Sequence, residues 1–107
     1  MEAAFRISHT SALILHTIHA GHVYGFGIME ITGLPSGTIY PALRRLEKDS
    51  FIRGDWEDKR VTLAKDRPPR RYYKLTRQGK EALAYAVERY PLLARLAPAP
   101  EEKAART

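Results

Sequence analysis

The sequence predicts a mainly α chain with one small β-hairpin, and three observations carry that prediction. Apolar residues recur at helical spacing up to Lys48, the runs "SFIRGDW" and "RRYYKL" are short, aromatic and partly β-branched, and helical spacing returns after Thr76. With 107 residues, 44% hydrophobic and 28% charged, the chain is sized for one domain with a modest core.

The elements follow in order. "SHTSALILHTIHA" is a helix with Ser8 as N-cap, Ile14, Leu15 and Ile18 on its apolar side and Gly21 as its stop. Leu13 lies away from that stripe, which suggests a second neighbour such as another subunit. A short helix over Gly25–Ile31 leads through Gly33, Leu34, Pro35 and Ser36 into a third. With Thr38 as N-cap, Pro41 falls at the third helical position, where an amide has no intrahelical acceptor. Ile39, Ala42, Leu43 and Leu46 then share a core face, and Thr38, Pro41, Arg44, Arg45 and Lys48 share the opposite, basic one. Two helices joined by a short Gly/Pro-bearing turn form a helix-turn-helix pattern.

The two aromatic runs pair as a hairpin whose long tip is the polar stretch Glu57–Pro69. Alternation puts Arg71, Tyr73 and Leu75 on one side and Arg70, Tyr72 and Lys74 on the other, so Tyr73 is a core residue and the two tyrosines cannot form one stacking platform. Pro68 and Pro69 belong at the strand's beginning or in the loop. Trp56 is expected to pack within the hairpin. Three helices followed by a hairpin are the order of a winged helix-turn-helix. Thr76 then caps a last helix with Leu83, Ala86, Val87, Tyr90, Leu93 and Ala97 at spacings of three and four, and Pro91 must kink or break it near Val87–Tyr90. Such a stripe wants a partner, and Leu83, Val87, Tyr90 and Leu93 are the expected dimerisation residues. The predicted division is 1–75 for the winged helix-turn-helix, 76–97 for a C-terminal dimerisation helix and 98–107 for a flexible tail.

The net charge of +6 is concentrated. Residues 44–77 hold twelve Lys/Arg against six Asp/Glu, and the remainder balances at six against six. Lys59–Arg77 alone has eight basic residues and a single acidic one, Asp66, so this segment projects a positive potential suited to a polyanion. Arg44 is the candidate base reader, since a guanidinium fork can address guanine in the major groove, while Arg45 and Lys48 lie beside it. Tyr40 either donates its hydroxyl to a phosphate or packs under the wing.

These residues together resemble the PadR family of bacterial transcription regulators. The resemblance spans roughly residues 10–90 and rests on "YGFGIME", on "GTIYPALRRLEKDSFI" and on "RPPRRYYKLTRQGKEAL". It implies a homodimer, with the C-terminal helices packed against the partner's N-terminal region. It also implies one DNA-reading helix and one basic wing per subunit. Ser36, Gly37, Thr38, Tyr40, Pro41 and Arg44 would fall on the recognition element, and Lys65, Arg67, Arg70 and Arg71 on the wing. The expected ligand is an inverted-repeat operator in double-stranded DNA, and the expected role is repression by occupancy. Asp66 stands where the family frequently has glycine, and the lone Trp56 lies in the hairpin rather than on the last helix, so no drug pocket is carried over.

Other classes find less support. No cysteine, no phosphate-cradling glycine loop with its lysine and no apolar carboxylate pair is present, which argues against an enzyme and calls for no cofactor. His16, His19 and His22 sit three apart, but Gly21 separates the last from the helix and no carboxylate is near in sequence, so no metal is expected. The chain lacks an apolar run of membrane-spanning length or a signal segment, which predicts a cytoplasmic protein with no membrane partner. Two alternatives remain: a winged-helix module for protein–protein interaction, in which the basic charge is incidental, and a regulator that senses a small-molecule inducer in a pocket at the dimer interface.

Overall fold

Ser8 opens the first helix as its position predicts: its hydroxyl accepts the Ser11 N–H at 3.1 Å, and α1 runs His9–His19. The computed structural model describes residues 7–96, and Ala97 and the expected tail at 98–107 lie outside them. Ile14, Leu15 and Ile18 of α1 are buried, and Gly21 turns the chain at φ 109°. Helix α2, Gly25–Thr32, ends on Gly33, whose φ of 73° lets its N–H bond back to the Met29 carbonyl.

Helix α3 runs Ser36–Lys48, earlier than the sequence predicts. The cap is Pro35 rather than Thr38, because the Pro35 carbonyl takes the N–H groups of Thr38 and Ile39 at 2.9 and 3.0 Å. Pro41 is therefore inside the helix, where its missing N–H leaves the Gly37 carbonyl without its usual helical donor. The predicted faces hold, with Ile39, Ala42, Leu43 and Leu46 buried.

Strands β1, Ile52–Trp56, and β2, Arg71–Leu75, pair antiparallel with Ile52 opposite Leu75 and Trp56 opposite Arg71. The segment before α2 joins β2's other edge: Tyr24 bridges Tyr72, and the Tyr73 N–H donates to the Val23 carbonyl at 3.0 Å. Tyr73 is buried, as alternation predicts. The tip is not simply a polar loop, because it contains helix α4, Lys59–Lys65. Asp58 caps it by accepting the Arg60 N–H at 2.8 Å, and Asp66 closes it at φ 51°. Thr62 is its one buried residue, so no apolar stripe announced it.

The C-terminal element breaks rather than kinks. Helix α5 spans Arg77–Arg89, Tyr90 leaves helical geometry at φ −122° and ψ 80°, and Pro91 begins α6, Pro91–Leu96. The residue before a proline is driven out of the helical region, while proline suits the first turn of the next helix. The stripe is also covered within the chain. Leu83 and Leu93 are buried in the main core, and Val87 and Tyr90 pack against it. The Tyr90 hydroxyl donates to the Ile7 carbonyl at 2.7 Å, and its ring lies 3.9 Å from that of His9. A stripe left bare by a single chain is thus not what the structure shows.

Candidate nucleic-acid interface

The amphipathic pattern of α3 buries one side and leaves Arg44, Arg45 and Lys48 exposed on the other. At the amino end of the same helix Ser36, Gly37 and Tyr40 are exposed, and Thr38 and Pro41 are half-buried. Tyr40 does not pack deep under the wing. Its ring lies over the start of α2, where a Cβ on Gly25 would come within 2.6 Å of the ring, so this glycine is what lets the tyrosine settle there.

The wing's cations divide by what already holds them. Arg67 makes a two-pronged pair with Glu57, at 2.6 and 2.9 Å, with both side chains largely shielded from solvent. Glu57 also accepts the Arg70 N–H at 3.3 Å. The Arg67 guanidinium, followed by the Arg70 amide, outweighs desolvation and lowers the Glu57 carboxyl to about 2, while the same pair raises the pKa of Arg67. Arg71 reaches Glu47 on α3 at 2.6 Å and passes over Gly54, where a Cβ would come within 2.7 Å of its guanidinium. It also lies 5.4 Å from the Trp56 ring centroid. Two of the four predicted wing cations thus brace the wing itself.

Arg70 and Lys65 remain exposed, as do Lys59 and Arg60 on α4. The Arg60 guanidinium meets Asp58 in a solvent-exposed pair at 3.3 Å, which leaves its charge open to competition; the Arg60 backbone N–H, and after it this pairing, lowers the Asp58 pKa. Sequence reasoning missed Glu47 and Glu57 because their partners stand 24 and 10 residues away. It overlooked Lys59 and Arg60 of α4 as site residues, although the charge run contained them beside Lys65.

Between α2, α3 and the hairpin lies a cleft of about 660 Å³. Trp56, expected to pack in the hairpin, instead lines this cleft and is 63% exposed. Register explains it, because Trp56 pairs with Arg71 at the strand end farthest from the Ile52–Leu75 core pair. Among the described residues, no group of three or more His, Cys, Asp and Glu is placed to hold a metal, and no helix is long and apolar enough to cross a membrane.

The family model described as the transcriptional regulator PadR-like family matches residues 14–85. The fold is similar to a PadR family transcription regulator from hypervirulent Clostridium difficile, with TM-score 0.68 at 23% identity over 83% of this chain and 94% of that one. A PadR-like transcription factor from Bacteroides fragilis has TM-score 0.64 at 27% identity, over 79% and 82% of the two chains. A PadR-like transcriptional regulator from Bacillus cereus has TM-score 0.62 at 26% identity, over 79% and 84%. No curated protein matches the chain by sequence.

Proposed function

The chain belongs to the PadR-like family of transcriptional regulators, and on that premise we propose that it is a homodimeric, cytoplasmic repressor that occupies an inverted-repeat operator in double-stranded DNA. One observation carries the reading: α3 turns Arg44, Arg45 and Lys48 to solvent opposite its buried face, and Lys65 and Arg70 of a braced wing are exposed on the same chain. Arg44 is the base reader in this proposal. Lys48, Lys65 and Arg70 grip phosphates, and Ser36, Gly37, Thr38, Tyr40 and Pro41 form the surface that approaches the groove. Two copies of α3 would enter successive major grooves about 34 Å apart, which is why the operator is an inverted repeat.

The test is competition between the duplex upstream of the protein's own gene and a scrambled duplex, over a salt series. Log affinity should fall with log salt by about 0.9 per phosphate contact. Arg44→Ala should cost about 1–3 kcal/mol on the operator and much less on the scrambled duplex. A salt-independent interaction would instead favour a protein-binding module, and equal losses on both duplexes would move Arg44 to a phosphate.

A further inference from the structure

The cleft between α2, α3 and the hairpin gathers more exposed aromatic surface than the duplex reading uses. Phe26 is 66% exposed and Trp56 63%, and both line it with Tyr24 and Tyr40. A single exposed apolar side chain is ordinary, but five rings around one cleft, counting the largely buried Tyr73, make a specific surface. Its volume of about 660 Å³ lies within the span of about 300–1,000 Å³ common for small-molecule sites. The Arg71 guanidinium covers part of Trp56, so the ring is held while still largely open to the cleft.

We propose that this cleft binds a nucleobase that carries a phosphate, either a free nucleotide or one unit of a single strand. Unpaired bases stack on aromatic side chains beside arginines, and every base has a face to offer. The polar groups give the cleft a direction. Arg70 sits 4.9 Å over the Tyr24 ring and makes no ion pair with a carboxylate among the described residues, so its charge is open to an anion. Glu30 lines the cleft further along α2, five residues beyond Gly25 and so about 7.5 Å along the helix axis. A carboxylate only accepts hydrogen bonds, so this end suits the N–H edge of a base. A plain aromatic acid would satisfy Arg70 and leave Glu30 unmatched. A paired base has its N–H edge occupied, which favours an unpaired one.

Tyr40 and Arg70 belong both to this cleft and to the proposed duplex surface, so the two ligands should exclude each other, each lowering the other's affinity by the same factor. That exclusion rests on the duplex reading. Binding in the cleft does not.

Trp56 is the chain's only tryptophan, so its emission reports the site directly. The full chain is titrated with adenosine monophosphate, single-stranded oligo(dA), inorganic phosphate and benzoate. Saturable quenching by both adenine ligands supports a nucleotide site, and quenching by oligo(dA) alone supports a single strand as the source. Absence of saturable quenching by either, or equal quenching by benzoate or phosphate, overturns the proposal. Phe26→Ala, at an exposed position that keeps the reporter, should weaken the adenine titration about tenfold, and Glu30→Gln should weaken it as well. Unchanged titrations in both variants also overturn it. A fluorescein-labelled duplex followed by anisotropy separates the two readings. Release by the adenine ligands supports exclusion, and retention overturns exclusion alone. Quenching without any duplex binding overturns the repressor reading and leaves the cleft site standing.

Discussion

Glu57 determines how much of the wing's charge a polyanion can meet. By holding Arg67 at 2.6 and 2.9 Å it neutralises that guanidinium before any ligand arrives, whereas Arg70 keeps an open charge over the Tyr24 ring. Arg70→Gln should therefore flatten the slope of log affinity against log salt by about 0.9. Arg67→Gln should leave that slope nearly unchanged while weakening binding through a looser wing. Equal flattening in the two variants would show that DNA strips Arg67 from Glu57. The same pair makes an acid-side prediction. The folded carboxyl lies at about 2 against an ordinary 4.5, so its stabilising contribution is complete above about pH 4.5 and is lost as the pH falls through 2. The emission of the neighbouring Trp56 should hold steady from neutral pH down to that window and then change. In Glu57→Gln that change should be missing, and its persistence would assign it to another group.

The junction between the hairpin and α5 shows how a short sequence signature becomes an element boundary. In "YYKLTRQG", Tyr73 is buried in the core and Thr76 caps α5 by accepting the Gly79 N–H at 2.9 Å. The Thr76 hydroxyl also donates to the Ser50 carbonyl at 2.6 Å, which ties the helix start to the end of α3. Gly79 is required because a Cβ there would collide with the Phe51 carbonyl oxygen, backbone that cannot swing aside. Gly79→Ala should therefore destabilise the fold by about 1–3 kcal/mol in urea unfolding, despite alanine's better helix propensity. A stabilised variant would mean that the Phe51 backbone and α5 can move apart without loss. This junction was legible because its signals are local: a cap, an alternation and a stripe. The start of α3 was misplaced because a proline carbonyl did the capping, which side-chain rules do not register. Helix α4 was hidden because its single buried residue, Thr62, makes no stripe, although Asp58 was a legible cap. The braces Glu57–Arg67 and Glu47–Arg71 join positions that only the folded chain brings together.

For the whole molecule, the proposed second copy needs an apolar surface that one chain leaves free. The stripe that suggested dimerisation is spent on the chain's own core, since Leu83 and Leu93 are 6% and 5% exposed and Tyr90 is tied to Ile7. Burial of that kind stabilises the subunit, and a charge placed there should unfold it. Leu92, on the same short helix as Leu93, is 62% exposed and offers the apolar surface that Leu83 does not. Leu83→Glu should thus lose helical circular dichroism and aggregate or unfold, whereas Leu92→Glu should remain folded and yield monomers. Light scattering on each variant, paired with its dichroism, separates loss of fold from loss of partner. Because an inverted repeat engages both copies together, the Leu92→Glu monomer should also lose much of its operator affinity while its binding to one isolated half-site is retained. A mass near 12.2 kDa for the unmodified protein at micromolar concentration would remove the dimer, and with it the reason to expect a two-fold operator.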